Sequence, residues 1–172
     1  MTYVSLGWII GIIIGIILVI ILLKVLNKDG AVRTKYDERQ QIVRGKAYMC
    51  GFYSGLIACA VMLFVNTGNF GAEKLGYAGF FIPILAGVVG QVSYSIFKDA
   101  YVGLNTNMTR FILIMAFISA FNFFIGIMAA VNGELIVDGK FQGPVINLLC
   151  GILFVIIFIE LIIKKAIDAR EE

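Results

Sequence analysis

Residues 35–65 read "KYDERQQIVRGKAYMCGFYSGLIACAVMLFV". Eight of the first twelve side chains are charged or carry an amide, whereas the nineteen residues from Ala47 to Val65 carry no charge. An uncharged apolar run of this length fits the roughly 20 residues that cross a bilayer core. In lipid the backbone polar groups of such a run must pair internally, which makes it a helix. The polar run before it then belongs at the membrane surface. This reading decides the fold, because the same alternation recurs along the whole chain.

Working outward, apolar segments lie at about Leu6–Leu26, Gly76–Phe97, Phe111–Val131 and Val145–Ile163, in addition to Ala47–Val65. Each is long enough to span. Of 172 residues 60% are hydrophobic and 15% charged, and the mean hydropathy is +0.97. A soluble domain is less apolar and carries about a quarter charged residues. The expected architecture is one all-α polytopic membrane domain, a bundle of five transmembrane helices over residues 1–172, with no room for a sizeable soluble domain. Met1 to Leu23 lacks the basic region and the small-residue cleavage site of a secretory signal, so it reads as an uncleaved span.

Basic residues set the orientation. With five spans, Lys74 and Lys140 fall on one side and the other twelve of the fourteen Lys and Arg on the opposite side. The expected topology is therefore N-out and C-in, in the cell membrane. The same imbalance argues against a dual-topology transporter. A net charge of +3 gives no case for nucleic acid.

The outer connections are "NTGNFGAEKL" at 66–75 and "NGELIVDGKFQGP" at 132–144. In the second, Asp138–Gly139 between two apolar triplets predicts a small extracellular β-hairpin. An isolated hairpin is marginal, so it should lean on the bundle. An irregular loop is the alternative. On the inner side, Asn105, Thr106, Asn107 and Thr109 are suited to cap a helix, and Asn27–Gly30 reads as the stop of the first span. "TKYD" at Thr34–Asp37 fits a capping box, which would put Asp37 and Glu38 in the first helical turn, at the positive end of the dipole. The second helix should therefore begin in the cytoplasm and project two to three turns beyond the bilayer, giving a helical extension at about 35–46.

Tyr36–Phe52, "YDERQQIVRGKAYMCGF", resembles a signature of small multi-pass membrane proteins of unknown function from Gram-positive bacteria, where an Asp-Glu-Arg-Gln run shortly precedes a span. The resemblance implies a bacterial membrane protein with a regulatory or sensing role. Independently of the resemblance, the projecting helical turn that carries Asp37, Glu38, Arg39, Gln40 and Arg44 is a candidate docking face for a cytoplasmic protein partner or a neighbouring subunit. The alternative is a solvated collar whose bases set topology and meet anionic headgroups.

Gly7, Gly11 and Gly15 form a ladder on the first span, and Gly51 and Gly55 continue the pattern on the second. Such faces let helices approach closely, within the bundle or between copies in a homo-oligomer. Pro83 removes a backbone donor within the third span. Polar side chains inside spans are few. Gln91 and Asn122 are candidate interior polar sites, as is Glu160, the only carboxylate within a span. Glu160 lies four residues before Lys164, the favoured order for a helical ion pair. A proton relay is the alternative.

There is no histidine, and no zinc spacing, P-loop or nucleophile elbow is present. Cys50, Cys59 and Cys150 all lie within apolar runs. Cys50 and Cys59 stand about two and a half turns apart on one helix and cannot pair. No enzyme, cofactor or metal is expected. The expected function is a non-catalytic interaction or regulatory subunit that uses its cytoplasmic face, with a small oligomeric transporter or channel as the alternative.

Overall fold

The computed structural model describes residues 3–68 and 72–171. Its elements, in order, are α1 (Tyr3–Leu26), α2 (Glu38–Thr67), α3 (Ala72–Leu75), α4 (Ala78–Phe97), α5 (Met108–Val131), β1 (Ile136–Val137), β2 (Lys140–Phe141) and α6 (Val145–Glu171). All of these except α3 and the two strands are helices long and apolar enough to cross a membrane, five in number. Residues 69–71, part of the expected connection between the second and third spans, lie outside the described residues.

The helix ends follow local chemistry. Asn107 has extended backbone and its side chain accepts from the Arg110 amide, so α5 starts at Met108, before the apolar run does. The third span was expected from Gly76, but α4 begins at Ala78. Gly76 has φ +48° and sits against the Phe141 carbonyl, a place where any Cβ would collide with backbone. The Tyr77 amide donates to that same carbonyl at 3.4 Å. The hairpin thus leans on the α3–α4 corner. Its register pairs Ile136 with Phe141 and Val137 with Lys140. Asp138 and Gly139 both take positive φ, 51° and 73°, as a two-residue type I′ turn requires. The hairpin expectation is met at its predicted turn.

Packing divides the helices into two tight pairs, α2 with α4 and α5 with α6, joined where α4 meets α6. Val92 and Ile96 of α4, Met115 of α5, and Leu153 and Ile157 of α6 form the buried core. Between α2 and α4 the contact is backbone on backbone. A Cβ at Gly51 would lie 2.7 Å from the Gly87 carbonyl oxygen and 2.8 Å from the Gln91 Cβ. Gly55 faces the Pro83 carbonyl at 3.5 Å. Ser54 Oγ donates across the same seam to the Ala86 carbonyl at 3.1 Å. The second glycine ladder is therefore a seam within the bundle.

The first ladder is different. Helix α1 meets the other helices little, chiefly α5, and a Cβ at Gly7, Gly11 or Gly15 would meet nothing within 4 Å among the described residues. Gly51→Ala should therefore lower the thermal midpoint of the purified protein by an overpacking cost of about 1–3 kcal/mol. Gly11→Ala should leave it unchanged or slightly raised, through better helix propensity. Circular-dichroism melts of both variants in detergent check the pair.

Candidate functional site

The ends of α1, α2, α4, α5 and α6 that carry most of the basic residues converge. Here two loops, 27–37 and 98–107, are laced together. The lacing begins with Asp37. It has extended backbone and caps α2, accepting from the Gln40 amide at 2.6 Å, while the Gln40 side chain accepts from the Asp37 amide at 3.3 Å. The capping box is thus Asp37–Gln40, three residues later than the expected Thr34–Asp37. Thr34 cannot serve as the cap because its neighbour Lys35 is committed elsewhere. The Lys35 amide donates to Asn105 Oδ1 at 2.8 Å, and the Lys35 carbonyl accepts from the Leu104 amide at 2.9 Å. Of the two acids expected in the first turn, only Glu38 lies there.

Asn105 is buried and saturated. Beyond Lys35, its amide group donates to Asp29 Oδ1 at 3.0 Å and to the Arg33 carbonyl at 3.2 Å, and its own carbonyl accepts from the Lys28 amide at 2.7 Å. Asn27, 2% exposed, donates to the Ala31 carbonyl and accepts from Thr106. Asn105 and Thr106 therefore lace the loops, and only Asn107 of the polar run caps a helix. Lys35 pairs with Asp29 at 2.8 Å. That ion pair, with the Asn105 and Ala31 donors, holds the Asp29 carboxyl down at about 2 from its usual 3.8.

Asp99 joins the helices. With φ +57° it closes α4 as a Schellman cap: its amide donates to the Ile96 carbonyl and the Ala100 amide to the Ser95 carbonyl. The Asp99 carbonyl accepts from Gln40 Nε2 at 2.9 Å. Its carboxylate meets Lys164 at 3.0 Å and Arg39 at 4.0 Å. One residue thus ties α2, α4 and α6. Asp99 and Asn105 were not singled out from the sequence as candidate sites. The signal that could have found Asp99 is an acid two residues past a helix whose last turn contains no charge, with only Lys98 between.

The five residues named for partner binding are therefore divided in role. Gln40 is buried, bonded to Asp37, Asp99 and Val102, and faces inward. Asp37 is the cap. Arg39 reaches Asp99 from an exposed position. Arg44 stacks over the Tyr36 ring at 4.0 Å and donates to the Tyr48 hydroxyl at 3.2 Å. Glu38 is exposed and forms no ion pair among the described residues.

The interior candidates are not brought together. The Asn122 amide bonds back to the Ile118 carbonyl of its own helix. Gln91 lies near the basic end of α4, facing a cavity. Glu160 does not pair with Lys164, which is taken by Asp99 and Asp168. Instead Glu160 Oε1 accepts from Ser93 Oγ at 2.6 Å, and its Oε2 is buried without a hydrogen-bond partner among the described residues. Two cavities, of about 460 and 240 Å³, flank Tyr101 and Val102. Burial pushes the Tyr101 phenol up to about 12, keeping it protonated. Among the described residues no group of three or more cysteines or carboxylates is placed to hold a metal ion.

No protein family, curated protein or solved structure matches the chain.

Gln40→Ala removes half of a capping box and two links to the 98–107 loop. A loss of about 1–3 kcal/mol is expected in denaturant unfolding, with Gln41→Ala as the near-neutral comparison. For Asp29 the folded-state value lies below the unfolded one. Its contribution is therefore present above about pH 3.8 and is lost as pH falls through about 2. The stability gap between wild type and Asp29→Asn, measured in melts across pH, should close over that window.

Proposed function

We propose that the protein is a non-catalytic, multi-pass integral membrane protein, N-out and C-in. In this reading the laced basic end is a rigid cytoplasmic platform for a protein partner, in an interaction or regulatory role. The observation that carries the reading is the division of labour within Asp37–Gln40. The cap and the buried amide serve the fold, whereas Glu38 is left exposed on the first turn with Arg39, Gln41 and Ile42 exposed beside it. Twelve of fourteen basic residues on that side support its cytoplasmic placement. Exposed apolar side chains around the helices, such as Ile57, Phe64, Phe80 and Phe117, suit contact with lipid. The resemblance of residues 36–52 to small Gram-positive membrane proteins agrees with a bacterial cell-membrane setting.

A photo-crosslinking residue at position 38 in native membranes should capture one discrete cytoplasmic protein. Glu38→Lys should abolish co-purification of that protein while membrane accumulation stays normal. Loss of accumulation, or an unselective crosslinking smear, would sink the reading. A second reading, a small oligomeric transporter or channel, draws on Glu160, whose Oε2 has no protein partner inside the bundle. It requires solute or proton flux in liposomes that drops on Glu160→Gln. Absence of flux across a broad solute panel counts against it.

A further inference from the structure

The smaller cavity lies at the basic end between the last turn of α1, the early turns of α2 and the polar end of α4. Its 240 Å³ equals about eight water volumes, too small for a whole lipid and large enough for one small polar group. Gln91 marks its depth. Six residues from the end of α4, it lies about 9 Å inward along the helix, so the cavity reaches from the basic end into the bundle.

The lining has one charge, Arg44, and no acid. Stacking over Tyr36 and the bond to Tyr48 fix the guanidinium plane. Neither contact neutralises it, and no carboxylate pairs with it among the described residues. A planar guanidinium offers several donors in a fork that matches phosphate oxygens. Tyr36, Tyr101 and Gln91 face the same space. Burial raises both phenols, Tyr101 to about 12, so each keeps its proton to donate. Leu23, Leu26, Val92 and Phe111 supply the apolar part of the remaining wall, and Asn27, Thr34, Ser95 and Thr106 its polar part. A fixed cation with no carboxylate partner among the described residues, set beside neutral donors, makes an anion site, and basic pockets between helices on the cytoplasmic side suit phosphate headgroups.

We propose that this cavity binds one phosphate-bearing anion, with Arg44 holding the charge and the Tyr36 and Tyr101 hydroxyls and the Gln91 amide holding its oxygens. The anion has two sources, the headgroup of an anionic phospholipid or free inorganic phosphate. Native mass spectrometry of the detergent-purified full chain separates them, with phosphatidylglycerol titrated in one arm and inorganic phosphate in the other. One saturable equivalent is expected. Arg44→Gln should weaken it at least about tenfold, the usual loss for a charge-assisted hydrogen bond. Tyr101→Phe, which keeps the packing, should weaken it several-fold even if Arg44→Gln does not fold. Saturable binding in the lipid arm alone assigns the headgroup, and saturable binding in the phosphate arm assigns the free anion. No saturable binding in either arm overturns the proposal. So does binding that both variants leave at the wild-type level, which marks surface lipid only.

Discussion

The contacts of Asp99 are the junction on which the basic end depends. A helix ends with carbonyls that have no partner within the helix. Those groups are satisfied by a capping turn, by side chains or by water. Asp99 does this for α4 by turning into the left-handed region, which a short polar side chain tolerates better than most. Having turned, it presents its carbonyl to Gln40 and its carboxylate to Lys164 and Arg39. The same event that ends one helix fixes the start of a second and the exit of a third. The loops laced through Asn27 and Asn105 then hold α1, which has little other attachment.

Helix number, approximate bounds and the hairpin were legible because each rests on local chemistry. A run of apolar residues needs only its own length to announce a span, and Asp138–Gly139 needs only its own backbone freedom to announce a turn. The errors of boundary arose where a distant segment intervenes. Thr34–Asp37 and Asp37–Gln40 both fit a four-residue capping pattern. Nothing local decides between them. The choice is made by Leu104 and Asn105, about seventy residues away, which occupy the backbone of Lys35 and hold it outside the helix.

The same reason separates Glu160 from Lys164. Their spacing is favourable, but such a pair is worth only a few tenths of a kcal/mol. Asp99 and Asp168 compete for the ammonium, and Ser93 offers Glu160 a hydrogen bond from the facing helix. Short-range rules name the contacts a residue can make. Which of them forms depends on neighbours that the sequence places far apart. The two glycine ladders make the point again. Both have the spacing of a packing face, yet Gly51 and Gly55 meet α4 while Gly7, Gly11 and Gly15 meet nothing nearby among the described residues.

These distinctions change what the charged run before α2 can mean. The Asp-Glu-Arg-Gln run need not signal a partner, because Asp37 and Gln40 have sufficient reason to occur together in the capping box and its tie to Asp99. The functional question contracts to the residues the fold does not use, Glu38 foremost. Their setting is favourable for recognition. The turn that bears Glu38 is held by its cap on one side and by the Asp99 junction on the other, so little backbone freedom is left to lose on docking. Ordering of loops and side chains is a main cost of association. A charge mounted on an already fixed turn avoids much of that cost, which favours Glu38 over an equally exposed acid on a free loop.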